Sequence, residues 1–304
     1  MTVLFFFAGL AGLFVGGEAL VRGAVAIACR FRVPPLVIGL TIVGFGTSAP
    51  ELMVAIQAAL AGAPDIAVGN VLGSNIANTL LIMGCAALVW PVVLPFNDLR
   101  RDFVIMLAAT VLLWIFMSNG MLGHLEGIVL LGALGAYLWF CFLQAGSTDT
   151  PVETHAHPLW LAVLLVVGGL VGLMFGAHAL VESSAKIARA MGVSEAVIGL
   201  TIVAIGTSLP ELATSLMAAF RGQGALAVGN VIGSNIFNLL GILGVTATIT
   251  PIPVAARFMG TDMMMVLGSG LALVAVSYLF SRLDRGKAAA GLGLYAAYML
   301  WLGS

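Results

Sequence analysis

Residues 36–84 read LVIGLTIVGFGTSAPELMVAIQAALAGAPDIAVGNVLGSNIANTLLIMG, and residues 196–244 read AVIGLTIVAIGTSLPELATSLMAAFRGQGALAVGNVIGSNIFNLLGILG. The two stretches align without a gap at a constant offset of 160, with 29 of 49 positions identical. Chance does not produce such a match, so the chain is built on an internal duplication. The offset extends beyond the block, since Gly12 and Gly16 match Gly172 and Gly176.

The duplication sits in an apolar chain. Of 304 residues, 61% are hydrophobic and 8% charged, with a mean hydropathy of +1.15. A soluble domain carries about 25% charged residues, so an ordinary cytosolic enzyme, a disordered chain and a nucleic-acid binder are excluded. Apolar runs long enough to cross a bilayer recur along the whole length. They predict an all-α membrane protein of ten transmembrane helices at 2–29, 33–61, 65–91, 99–117, 121–144, 158–186, 193–221, 225–250, 258–280 and 288–303. Each half then holds five: residues 1–144 and 158–304, joined by a polar linker at 145–157. An odd number of spans turns the second copy upside down, which gives two inverted-topology repeats.

Twelve Lys and Arg nearly cancel thirteen Asp and Glu, so position carries more information than net charge. With the N-terminus outside, Arg22, Arg30, Arg32, Arg100, Arg101, Arg221, Arg282, Arg285 and Lys287 fall inside, against Lys186, Arg189 and Arg257 outside. This bias predicts N-out and C-out, with the linker in the cytoplasm. Met1 to Leu10 contain no Lys or Arg, so the first span reads as retained rather than as a cleaved signal. Cys29, Cys85 and Cys141 lie in or beside apolar segments without CxxC spacing, and read as packing residues. His155 and His157 on the linker read as solvated side chains. The i,i+4 pairs Glu18/Arg22 and Glu182/Lys186 read as structural.

Polar residues inside the repeats are grouped. Gly46-Thr47-Ser48-Ala49-Pro50-Glu51 and Gly206-Thr207-Ser208-Leu209-Pro210-Glu211 lie about halfway along apolar runs. A glutamate there costs about 2.5–3.5 kcal/mol on insertion scales, so two of them require a reason. Pro50 and Pro210 cannot donate to the carbonyls of Gly46 and Gly206, which loosens the helix beside each carboxylate. The next helix adds Ser74 and Asn78, mirrored by Ser234 and Asn238, each pair one turn apart on a regular helix. Glycines at 69, 73, 229 and 233 permit close helix approach. Asn70, Asn75, Asn230 and Asn235 point off that face and read as packing or break-supporting amides. Every donor in the blocks is an oxygen, which favours a hard cation such as Ca²⁺ or Na⁺ over zinc or copper. One such block could be a kinked helix or interhelical hydrogen-bond glue; two, each with a buried glutamate, point to a site.

Through GxGTSAPEL at 44–52 with GNVLGSNIAN at 69–78, and AIGTSLPEL at 204–212 with GNVIGSNIFN at 229–238, the sequence resembles the calcium/cation antiporter superfamily of Na⁺/Ca²⁺ exchanger type. The resemblance implies that Glu51 and Glu211 are carboxylates shared by Ca²⁺ and Na⁺. It also implies hydroxyls from Ser48, Ser208, Ser74 and Ser234, amides from Asn78 and Asn238, and carbonyls from Thr47, Thr207, Gly44 and Ala204. Some members carry an acid at one of the two amide positions, whereas both are Asn here. The large cytosolic regulatory insert of animal exchangers is missing, which suggests a minimal prokaryotic exchanger of the plasma or inner membrane. The expectation is therefore a secondary antiporter, not an enzyme, exchanging Ca²⁺ for Na⁺ by alternating access in the lipid bilayer. No cofactor, nucleic acid or protein partner is implied. The alternative counter-ion is a proton, because a desolvated carboxylate can bind H⁺ in place of a cation. A passive channel fits the inverted pairing less well. An intramembrane hydrolase fails because there is no GxSxG motif, and His124 and His178 lie outside the polar blocks.

Overall fold

A computed structural model describes residues 2–144, 158–192 and 204–302. The linker with His155 and His157, and residues 193–203 at the start of the seventh expected span, lie outside them. The described chain is helical wherever the sequence is apolar over a long run. It opens with α1 (Thr2–Phe31), followed by α2 (Pro35–Thr47) and α3 (Ala49–Leu60), which form one span bent by 43°. Then come α4 (Pro64–Val89), α5 (Phe96–Met117) and α6 (His124–Gln144). The second half contains α7 (Leu159–Ala190), a single turn α8 (Ala204–Gly206), α9 (Leu209–Phe220), α10 (Gly224–Ile249), α11 (Phe258–Phe280) and α12 (Arg285–Leu302). Among the described residues six of these helices are individually long and apolar enough to cross a membrane, and the bent pair α2–α3 makes a seventh. The protein is an all-α membrane protein.

Burial sorts the helices. In α4 and α10, 78% and 94% of the apolar stretch is buried, against 28–33% in α1, α6, α7 and α11. The first two therefore form the centre, and the others present Phe5, Phe14, Trp139, Phe142, Trp160 and Phe175 outward, an apolar surface suited to lipid. The corner after α3 is a glycine cap. Gly62 adopts φ +74°, and Ala63 N–H reaches back to the Ala58 carbonyl at 2.8 Å. Its counterpart after α9 repeats the turn, with Gly222 at φ +71° and Gln223 N–H on Ala218 at 2.8 Å. Only glycine takes this left-handed conformation without strain.

Two pairs of two-residue strands join the halves. β1 (Val92–Val93) pairs antiparallel with β4 (Arg282–Leu283), and β2 (Met121–Leu122) with β3 (Ile252–Pro253). Each ladder takes one strand from each half of the chain. These contacts carry no hydrophobic periodicity, and helix-based reading did not anticipate them.

The most extensive helix pairing is α1 against α7, antiparallel, through the glycines that the repeat had matched. A Cβ on Gly16 would lie 2.7 Å from Leu173 N, and one on Gly176 2.7 Å from Leu13 N. The backbones touch directly, as small-residue stripes allow. Both helices also press on the broken spans: a Cβ on Gly17 would stand 3.3 Å from the Ala213 carbonyl, and one on Gly46 would meet the Leu170 side chain. Glu18 on α1 ties this pair inward by an ion pair to Arg221 at the end of α9, in addition to the expected pair with Arg22.

Gly169→Leu places carbon where Leu20 N is 2.5 Å away. The variant should lower the midpoint of thermal unfolding in detergent, by an overpacking cost of about 1–3 kcal/mol. Gly168→Leu, where a Cβ meets nothing within 4 Å, should leave the midpoint unchanged. Equal effects at both positions would contradict backbone contact between α1 and α7.

Candidate ion-binding site

The broken spans create the site. The helix stops at Ser48 (φ −84°, ψ 7°) and restarts as α3, and it stops in the same way at Ser208 (φ −88°, ψ 5°) before α9. Pro50 and Pro210 stand in the first turn of the restarted helices, where a missing N–H costs nothing. The break thus falls two residues before each proline rather than at it. Glu51 and Glu211 follow in the same first turns. There the unpaired N–H groups and the positive end of the helix dipole favour a carboxylate.

Both carboxylates are out of contact with the exterior, at 1% and 0% exposure. Ser48 Oγ donates to Glu211 Oε1 at 2.8 Å, and Ser208 Oγ to Glu51 Oε1 at 3.5 Å. Each serine at a break therefore serves the carboxylate of the other repeat. The Nδ2 of Asn238 donates to Ser74 Oγ at 3.0 Å, and that of Asn78 to Asn235 Oδ1 at 3.1 Å. With their N–H groups engaged, the two amides leave Oδ1 free. Glu51 Oε2, Glu211 Oε2, Asn78 Oδ1 and Asn238 Oδ1 are buried without a hydrogen-bond partner among the described residues. All four are acceptors. An unpartnered buried acceptor costs about 1–3 kcal/mol, more if charged, and a cation is what such a set lacks.

The asparagines stand on π turns. Ala77–Ile82 within α4 and Phe237–Ile242 within α10 are π-helical, at equivalent places in the two repeats. The regular pitch expected for Ser74 and Asn78 is therefore interrupted between them. Ser74 Oγ donates to the Val71 carbonyl of its own helix at 3.1 Å and accepts from Asn238 across the repeat boundary. Such bulges place side chains off the α-helical register.

Asn70 and Asn230 support the breaks. Asn230 Nδ2 donates to the Glu211 carbonyl at 3.3 Å and to Ser215 Oγ at 2.9 Å, while its Oδ1 lies 3.2 Å from the Thr47 hydroxyl. Asn70 Nδ2 donates to the Glu51 carbonyl at 3.3 Å, and its Oδ1 lies 3.5 Å from the Thr207 hydroxyl. Each amide bridges the restarted helix of its own repeat and the threonine before the break of the other. The Gly44 carbonyl accepts from Ser234 Oγ at 3.1 Å. That approach requires glycine, because a Cβ at Gly44 would lie 2.9 Å from Ser234 N. Ala204 opens the described part of the second broken span. Asn75 and Asn235 line a separate small cavity.

Two further buried acids lie elsewhere. Asp102 holds Arg101 at 2.7 Å and accepts from the Tyr137 hydroxyl at 3.3 Å; Asp262 accepts from Tyr298 at 2.9 Å. They too are 160 positions apart. The sequence showed that offset, but both lie beyond the repeated block and read as helix-end acids. A cavity of about 590 Å³ lies between α1 and α7, away from the carboxylates. Among the described residues no three His, Cys, Asp or Glu gather into a metal cluster.

The family of the sodium/calcium exchanger protein matches residues 1–143 and 161–303. The inner membrane protein YrbG of Escherichia coli is 40% identical over 247 residues, covering 75% of this chain and 74% of that protein. The sodium/calcium exchanger MaX1 of Methanosarcina acetivorans is 33% identical over 304 residues, covering 85% and 87%. The solved structure of the sodium-calcium exchanger NCX_Mj soaked with zero Na⁺ and Ca²⁺ superposes with a TM-score of 0.88 at 32% identity, covering 99% of this chain and 98% of that one. The chain belongs to the sodium/calcium exchanger family and is a membrane antiporter of that type rather than an enzyme.

Proposed function

We propose that the protein exchanges Ca²⁺ for Na⁺ at one buried site centred on Glu51 and Glu211. The observation that carries this reading is the set of four unpartnered, acceptor-only oxygens, two carboxylate and two amide, at the meeting of the broken spans. Their combined charge of two neutralises one Ca²⁺ or is shared by several Na⁺, so the two loads compete. Ser48, Ser208, Ser74 and Ser234 supply further hydroxyl oxygens, and Thr47, Thr207, Gly44 and Ala204 backbone carbonyls beside the breaks. A hard cation selects for such oxygen-only surroundings. Asn70 and Asn230 are positioning residues, because they hold the threonines through which the breaks are shaped.

Access alternates between the two sides, and the α1–α7 pair, joined backbone to backbone, moves against the core as one body. The reading includes ten spans in two inverted repeats, residues 1–144 and 158–304, with both termini outside a prokaryotic plasma membrane and the linker 145–157 in the cytoplasm. The strand pairs support the inversion. In the ten-span plan α5 crosses between β1 and β2, which sets the two ladders on opposite sides. β1 belongs to one ladder, and β3, its counterpart 160 residues on, belongs to the other. Equivalent points of the two repeats thus fall on opposite sides of the bilayer, as inverted repeats require.

In proteoliposomes at matched pH, an outward Na⁺ gradient should drive Ca²⁺ uptake. Uptake that ignores Na⁺ and follows a pH gradient would replace Na⁺ with H⁺ as the counter-ion. Glu51→Gln and Glu211→Gln should each reduce calorimetric Ca²⁺ affinity at least ~100-fold, the scale of about 3–5 kcal/mol for removing one buried charge partner. Exchange left intact by both would move the site elsewhere. Asn230→Leu should weaken Ca²⁺ binding by about 10-fold while keeping Na⁺ competition, as loss of a group that orients a ligand does.

A further inference from the structure

Against Asn235, whose Oδ1 accepts from the Asn78 amide, lies a cavity of about 10 Å³. Its lining consists of pairs related by the offset of 160. Asn75 faces Asn235, and around them Thr79, Met106 and Thr110 of the first repeat are answered by Leu239, Val266 and Gly270 of the second. The cavity therefore sits where the two repeats meet about their common axis, and its two halves differ in chemistry. One is polar and the other apolar or small.

The difference settles the fate of the two asparagines. Asn235 is fully engaged: its Nδ2 donates to Thr79 Oγ1 at 2.9 Å and lies 3.7 Å from Met106 Sδ, and its Oδ1 accepts from Asn78. Asn75 faces Leu239 and Val266 where Asn235 has Thr79 and Met106. Its Nδ2 and Oδ1 are both buried, at 1% exposure for the residue, with no hydrogen-bond partner among the described residues. A buried amide in that condition is rare, and the usual remedy is an ordered water with two to four polar contacts.

We propose that this cavity is a binding site for one water molecule. The water accepts from Asn75 Nδ2 and donates to Asn75 Oδ1 or to Thr110 Oγ1. The threonine hydrogen is already given to the Met106 carbonyl at 2.9 Å, so its oxygen is an acceptor. The volume fits one water, which needs ~10–15 Å³ of such space. A cation is disfavoured because the lining contains no carboxylate and only a few neutral oxygens among Leu239, Val266 and Met106. The water compensates on the second repeat's side for the hydroxyl that Thr79 supplies on the first, and so completes the support behind the Asn78 amide.

The sulfur of Met106 makes the proposal measurable, because X-ray radiolysis of a bound water oxidises the side chains touching it. The full-length protein in detergent is irradiated and methionine oxidation is read by mass spectrometry. Met83 and Met117 serve as references, since both are 0% exposed and neither lines the cavity. Met106 should oxidise several-fold faster than either. Asn75→Leu, which removes the water's partner, and Val266→Leu, which fills its space while leaving Asn75 in place, should each bring Met106 down to the reference rate. Met106 oxidising no faster than Met83 and Met117 in the unaltered protein would overturn the proposal. So would an anomalous peak in the cavity of crystals soaked in thallous ion, which would make it a monovalent-cation site.

Discussion

Two carboxylates buried within one apolar core set the terms for the rest of this molecule. Glu51 and Glu211 are each placed on the first turn of a restarted helix, where backbone N–H groups offset part of the cost of desolvation. Serine hydroxyls from the opposite repeat cover one oxygen of each, and the remaining oxygens are buried without a partner among the described residues, as are two amide oxygens. The breaks at Ser48 and Ser208, the prolines that tolerate them and the glycines that let the second broken layer approach all follow from this need. A continuous helix of the same composition would present no helix N-terminus at this depth.

Much of this was legible in the residues because the repeat is almost undiluted. The glycine, threonine, serine, proline and glutamate of each break stand out against an apolar background, and the offset of 160 pairs them without an alignment of relatives. The helix ends were also legible within a few residues, since Gly62, Gly222 and Pro64 punctuate the chain. The π turns were not, because an extra residue in a helical turn leaves no mark in composition. It is stabilised by neighbours distant in sequence. For the same reason the bond from Asn238 to Ser74 could not be read from a helical face, because it comes from the other repeat. Asn70 and Asn230 read ambiguously because their role is to bridge two elements, and only tertiary structure shows both ends of a bridge. Asp102 and Asp262 share the offset of 160 but lie beyond the repeated block, where little identity remains to mark them as a pair.

The likeness of the two halves is close where cations would sit and relaxed away from that point. Asn230 has a third contact in Ser215, where the first repeat has Ala55. Arg101 joins Asp102, whereas position 261 is a threonine beside Asp262. A duplicated chain that must present the same ligands from both sides retains its inner residues, and its outer residues are free to diverge with their surroundings.

The strand pairs, small as they are, bear on how such a chain is assembled. Each ladder takes one strand from each repeat, and each serine at a break serves the other repeat's carboxylate. Neither half is self-contained. Either half alone would display two unmatched strand edges and a carboxylate without its serine, and it could satisfy both only beside the other half. The covalent linker then guarantees that the two halves arise in equal number and side by side.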